Sequence, residues 1–250
     1  MKWKKHLGGL LTAGSLALIV ALIPSQTVLA QDDGGMLQVA EVKVKDGQVA
    51  DFIDLQRQFA EAGKAAGRSG HSIWQVVRGR SNTFHVVDTV ENFASIDEGI
   101  EPPMSDEEWA RWVARITQTI ESRTVMNLRV YPNLVIPTAD GAVENLAMLR
   151  IRTVMPGNNS EYEEWVEDDL LPALRAGGQT GVSYYRVLNG GNSNTWFGVT
   201  RHTNWAEMDP PGPLADMSDR QRSSMLDKAA GLQTGVSENI VIRHRADMSF

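Results

Sequence analysis

The chain is written twice. Ser81-Asn82-Thr83-Phe84 returns as Ser193-Asn194-Thr195-Trp196, and Asn92-Phe93-Ala94 with Asp97 returns as Asn204-Trp205-Ala206 with Asp209. Met104-Ser105-Asp106 returns as Met217-Ser218-Asp219, and Asn127 with Leu128 and Val130 returns as Asn239 with Ile240 and Ile242. Four matches in one order, at a shift of about 109 to 113 residues, mark a tandem duplication. Whatever one copy folds into, the other must also fold into, and each copy has only about 100 residues in which to build a core.

Within a copy, the periodicity changes in a fixed order. Leu37 to Lys45 alternates, with Val39, Val42 and Val44, and reads as a strand. Val49 to Ala66 carries Phe52, Leu55, Gln56 and Phe59 at helical spacing and stops at Gly67. Two strands follow, Ser72 to Arg78 and Thr83 to Val90, around a turn at Gly79-Arg80-Ser81-Asn82. A second helix starts at Ser105 with a Ser-x-x-Glu capping box and lines up Trp109, Trp112, Val113, Ile116 and Ile120 on one face. Val125 to Tyr131 closes the unit as a strand.

The second copy repeats the pattern as strands Leu146 to Val154, Val182 to Leu188, Thr195 to His202 and Ser237 to Arg245. Its helices start at Ser160 and Ser218, each read as a capping box, and Pro172 is expected to kink or end the first of them. The expected organisation is a secretory signal at 1–30, a first repeat at 37–131, a linker at 132–145 and a second repeat at 146–250. The order βαββαβ is an α+β, ferredoxin-like unit, with two helices on one face of a four-stranded antiparallel sheet. The bare face of such a sheet needs cover, and two copies packed sheet to sheet supply it.

The signal reading rests on Lys2, Lys4 and Lys5, an apolar run from Leu10 to Ile23, and small residues at Val28 and Ala30. Its apolar core is short for a bilayer span. Export to a periplasm or to the outside is therefore expected. The segment takes three of the 24 basic residues and none of the 31 acidic ones, leaving 21 against 31, a net charge of −10. So acidic a chain is a poor general partner for nucleic acid. The absence of cysteine excludes disulfides, thiolate nucleophiles and thiolate metal sites, and no histidine spacing suggests a metal.

With the repeat, the element order and the helix starts at Asn92 and Asn204 in place, the chain resembles the dimeric α/β-barrel superfamily. That superfamily includes antibiotic biosynthesis monooxygenase, EthD-like, NIPSNAP-like and stress-responsive barrel domains; no signature of any single family is present. The resemblance covers nearly the whole chain after the signal. It implies that the two repeats form an intramolecular α/β barrel, a monomer acting as a pseudo-dimer, with a cavity between the sheets. Members bind small apolar or aromatic molecules there; some are cofactor-free oxygenases or isomerases, and some bind haem.

Three functions follow as expectations. The first is an exported small-molecule-binding barrel, a cofactor-free monooxygenase or isomerase acting on an aromatic or apolar substrate. The second is a non-catalytic binding or stress-related protein of the cell envelope. The third is a haem barrel. His85 and His202 are the candidates for a general base or an axial haem ligand. Alternation on the first strands sends Ala40, Val42, Val44, Leu149 and Ile151 to the helices. Glu41, Lys43, Arg150 and Arg152 then face the cavity, to orient a ligand or form a Glu41–Arg150 pair across the barrel. Asn127, Arg129, Tyr131, Asn239 and Arg243 are expected on the same side, and Trp74 and Tyr185, at matching strand positions, to stack on a planar ligand. A slip of one residue inverts each of these lists.

Overall fold

The computed structural model describes residues 35–97, 102–209 and 211–250; the expected signal lies outside them. The first half runs β1 (Met36–Val44), α1 (Val49–Ala65), β2 (His71–Arg78), β3 (Thr83–Val90), a short α2 (Phe93–Asp97), α3 (Asp106–Thr119) and β4 (Ile120–Ile136). The second runs β5 (Leu146–Val154), α4 (Asn159–Trp165), a π-turn (Val166–Leu170), α5 (Leu171–Ala176), β6 (Val182–Asn189), β7 (Thr195–His202), α6 (Asp219–Leu232) and β8 (Gln233–His244).

Local chemistry accounts for most boundaries. Ser105 and Ser218 each form the expected capping box, with Glu108 and Gln221 returning the bond to the cap. The box expected at Ser160 does not form, because the helix already starts at Asn159 and Ser160 lies inside it. Pro172 does not end its helix either. Its missing N–H falls just after the π-turn, which absorbs the lost bond so that the helix continues to Ala176. The linker is shorter than expected, since β4 continues to Ile136 and pairs Val135 with Ser183 and Ile136 with Val182.

Each half forms an antiparallel sheet, β4-β1-β3-β2 and β8-β5-β7-β6, and the edges join as β2–β8 and β6–β4 to close an eight-stranded barrel. The two halves are thus hydrogen-bonded into one ladder, and no sheet edge is left open. Equivalent glycines seal the two seams. A Cβ on Gly79 (φ +117°) would meet Ile240 Cγ2 of β8 at 2.6 Å, and one on Gly190 (φ +77°) would meet the Val125 carbonyl oxygen of β4 at 2.0 Å. Both hairpin turns need a left-handed backbone and a close approach together, which only glycine allows.

The ladder fixes how the copies correspond. Val44 N–H donates to the Asn82 carbonyl and Val154 N–H to the Asn194 carbonyl, both at 2.9 Å, so β1 and β5 superimpose with Ala40 on Arg150 and Val42 on Arg152. One sequence match fails this test. Asn239 lies opposite Arg150, as Val125 lies opposite Ala40, so Asn127 and Asn239 are two residues out of register.

Side chains fill the barrel interior. Val76, Ala147, Leu149, Ile240 and Ile242 form one buried cluster and Val39, Leu128 and Val187 another, with Trp74, Tyr185 and Phe197 packed against them. An eight-stranded barrel is wide enough for side chains to fill it or for one small ligand. The helix-facing cores are separate, built on Phe52, Phe59, Phe84 and Trp112 in the first half and on Tyr162, Trp165, Trp196 and Met225 in the second. Trp112 Nε1 of α3 donates to the Leu55 carbonyl of α1 at 2.8 Å, and Trp165 Nε1 of α4 donates to the Met225 carbonyl of α6 at 3.1 Å. The same helix pair is tied by an indole bond in both halves, with donor and acceptor helices exchanged. The C-terminal residues return to the first half: Phe250 pairs its backbone with His71 in both directions, and Met248 is fully buried in that core.

Candidate functional site

Two cavities lie outside the barrel, each between a half's sheet and its helices. Both lie outside the space between the sheets where a cavity was expected, and the apolar interior clusters line that space.

The first cavity, about 370 Å³, is walled by Phe52, Phe59, Trp112, Val113 and Ile116 above a floor that includes Ala40, Val42 and Val86. His71 stands in this wall, only 2% exposed. Directly opposite it on β3 is Asp88, 3% exposed, with Oδ1 3.0 Å from His71 Nδ1. An ionised carboxylate there holds the imidazole proton on Nδ1 and leaves Nε2 as the basic nitrogen. Nε2 is buried and, among the described residues, has no hydrogen-bond partner. The ring is held by Phe250 stacked at 5.0 Å and Phe59 edge-on at 5.5 Å. Burial pushes the Asp88 carboxyl above the usual carboxylate range, while His71 pulls it back down. Gln56, Thr117, Glu121, Ser122 and Arg123 are the other polar residues that line this cavity.

The second cavity is larger, about 590 Å³, and its chemistry differs. Tyr162, Trp165, Leu170, Leu174 and Leu214 wall it, and Arg150, Arg152, Tyr184 and Thr200 form the floor. Arg150 Nη1 donates to Thr200 Oγ1 at 2.7 Å, and Arg152 donates to the Ile151 and Glu238 carbonyls and to Asn239 Oδ1 at 2.9, 3.1 and 3.0 Å. Burial holds the Arg150 guanidinium below its ordinary value, with Tyr184 opposing. Burial also pushes the Tyr184 hydroxyl up to about 12, so it stays neutral and can donate. The Tyr184 ring lies flat across β7 because residue 198 is glycine; a Cβ there would stand 2.9 Å from the ring.

The sequence-predicted residues divide between these spaces and the barrel. Glu41 faces the interior as expected, but it binds Arg80 and lies 3.4 Å from His85, and the expected pair with Arg150 does not form. Arg80, in the β2–β3 turn, also binds Glu238, so the ion network ties the halves together at the barrel mouth. Arg150 and Arg152 face the helices while Leu149 and Ile151 face the interior, the inverse of the expected assignment for β5. Trp74 and Tyr185 point into the filled barrel, where Trp74 stacks on His244 at 5.0 Å. Asn127 bonds Asn189 across the β4–β6 seam at 2.9 Å, and Asn239 supports Arg152. His202 lies 3.7 Å from Glu207, and burial pushes its pKa down.

His71 and Asp88 escaped the sequence reading, although a signal existed. The turn at Gly79-Arg80-Ser81-Asn82, extended back along the hairpin, sets the two side chains opposite each other.

Haem does not fit the ligands expected for it. His85 and His202 line neither cavity, and the larger cavity has no histidine in its wall. Among the described residues, no group of three or more His, Asp or Glu is placed to hold a metal ion, and no helix is long and apolar enough to cross a membrane.

No protein-family model matches the chain, and no curated protein sequence does. Solved structures do match. A candidate monooxygenase from Fusobacterium nucleatum subsp. nucleatum ATCC 25586 superimposes with a TM-score of 0.59 at 13% identity, covering 86% of this chain and 94% of that one. An anthrone oxidase-like protein gives 0.58 at 11% identity over 86% and 92%. A candidate monooxygenase from Lactobacillus acidophilus NCFM gives 0.56 at 11% over 85% and 94%. At such identities the likeness is one of fold.

Proposed function

We propose that this chain, a dimeric α/β barrel with both copies in one polypeptide, is an exported, monomeric protein that binds a small apolar or aromatic molecule in its first cavity and removes a proton from it. The observation that carries the reading is His71: its Nδ1 is held by Asp88 and its unpartnered Nε2 is buried in an aromatic-walled space. A base must lie within reach of the proton it takes and be fixed in the right tautomer; Asp88 supports the tautomer, and His71 lines the cavity in which a substrate would sit. An apolar wall favours a neutral carbon acid, and the developing oxyanion would find Gln56 and Arg123. The same first step serves two outcomes. Returning the proton to another carbon isomerises the substrate, and passing the carbanion's electrons to dioxygen oxidises it without a cofactor. The likeness in fold to candidate monooxygenases and to an anthrone oxidase-like protein agrees with the second outcome.

The test uses 5-nitrobenzisoxazole, whose ring opens when a base takes its C3 proton and the N–O bond breaks to a coloured cyanophenolate. We expect turnover that falls roughly 10²- to 10⁴-fold in His71→Gln and partly in Asp88→Asn, with the fold retained by circular dichroism. Equal rates in wild type and His71→Gln would overturn the reading in favour of the envelope-binding or stress-related alternative. A Soret band on adding haem to the purified protein would instead revive the haem barrel.

A further inference from the structure

The second cavity has a charge problem that the protein does not solve by itself. Arg150 and Arg152 are half-buried on neighbouring positions of one strand face, and neither has a carboxylate within 4.0 Å among the described residues. Their bonds go to a hydroxyl, two backbone carbonyls and an amide, all neutral acceptors. Among the described residues no Asp or Glu lines the cavity, and the third lining arginine, Arg222, is tied to Asp219 at the rim. This happens in a chain with 31 acidic residues, so the exclusion of acids from this space is local. Enclosed guanidiniums are ordinarily neutralised by an acid, and here the place of the acid is empty space.

The shape of that space narrows the answer. Its long walls are Tyr162, Trp165, Leu170, Leu174 and Leu214, apolar or aromatic, and the flat Tyr184 ring lies on the floor beside Arg150. Compared with the first half, the helix overhead has been pared back: Ala229 and Ala230 stand where Ile116 and Thr117 stand. A planar body fits against the walls, and an anionic oxygen group reaches the floor, which Arg150, Arg152 and the neutral Tyr184 hydroxyl line.

We infer that the second cavity is a binding site for a planar aromatic molecule carrying an anionic oxygen group, with Arg150 and Arg152 taking the anion and Tyr162 and Trp165 enclosing the ring system. The site shares no residue with the first cavity and does not depend on proton abstraction there.

The experiment compares two dyes with nearly the same rings, 1-anilinonaphthalene-8-sulfonate and its neutral analogue N-phenyl-1-naphthylamine, by fluorescence titration of the full protein. The sulfonate dye is expected to bind at one site, and Arg150→Ala with Arg152→Val, the identities of the first half, should weaken it roughly ten- to a hundredfold while leaving the neutral dye unchanged. Arg150→Lys keeps the charge but loses the fork, and should fall between. The sulfonate affinity of His71→Gln should match that of the wild type, which separates this inference from the proposed chemistry of the first cavity. A sulfonate affinity that survives the double substitution in a folded protein would overturn it.

Discussion

On the helix-facing side of its strands the first half carries Ala40, Val42, Ile73 and Val86, where the second carries Arg150, Arg152, Tyr184 and Gly198. Both faces are laid by the same strands in the same register, and both lie under two helices joined by an indole bond. Duplication preserved the frame while the residues that line the two cavities changed. The polar chemistry has moved within it. The first half sets one buried acid–base pair at the edge of an apolar space, whereas the second spreads cationic and phenolic groups across its floor. Position 88 shows the exchange in one place: Asp88 holds the imidazole, while its counterpart Thr200 accepts from Arg150.

The sharpest way to break the comparison is at the seams. Gly190→Ala drives a Cβ into a backbone carbonyl, whereas Gly79→Ala meets the end of the Ile240 side chain, which can move. Chemical denaturation should show Gly190→Ala losing about 3 kcal/mol and Gly79→Ala clearly less. Either variant should still unfold in one transition, because β2–β8 and β4–β6 make the halves one ladder. Two separate transitions would show that the copies are independent.

A smaller effect concerns the floors. Giving the second half the identities of the first, Arg150→Ala with Arg152→Val, should raise unliganded stability by about 1 kcal/mol while weakening affinity for the anion roughly ten- to a hundredfold. A loss of stability by calorimetry would mean that the arginines are structural.

The smallest effect is a difference in pH response. Asp88 has its carboxyl raised by burial, so the folded protein holds that proton more tightly than the unfolded chain does. Acidification therefore costs no stability through Asp88, but it removes the charge that holds the His71 tautomer. Turnover in the first cavity should fall on the acid side above the range of an ordinary carboxylate, and Asp88→Asn should shift that limb. Sulfonate binding in the second should stay flat over the same range, since the guanidiniums remain charged and Tyr184, near 12, remains neutral. Parallel pH profiles for the two would contradict the division of chemistry between the halves.

Much of this was legible before any coordinates. The repeat, the βαββαβ order, the caps at Ser105 and Ser218 and the turn glycines each follow from local chemistry that acts within a few residues. The first-half face was readable too, because Ala40, Val42 and Val44 are apolar while Glu41 and Lys43 are charged. The same rule failed on β5. Leu149 and Ile151 look like the helix-facing set, yet both faces of a barrel strand are covered, one by the opposite strands and one by helices. Hydrophobicity alone cannot then say which cover is which.

The sequence by itself determined that two copies of one α+β unit must shield each other, since each amphipathic sheet carries a face that water cannot be left to cover. Tertiary structure decided where the empty space lies. Closing eight strands leaves an interior that side chains fill, so the remaining volume falls beneath the helices, and there the pairing of distant strands sets His71 against Asp88 and leaves Arg150 and Arg152 without an acid.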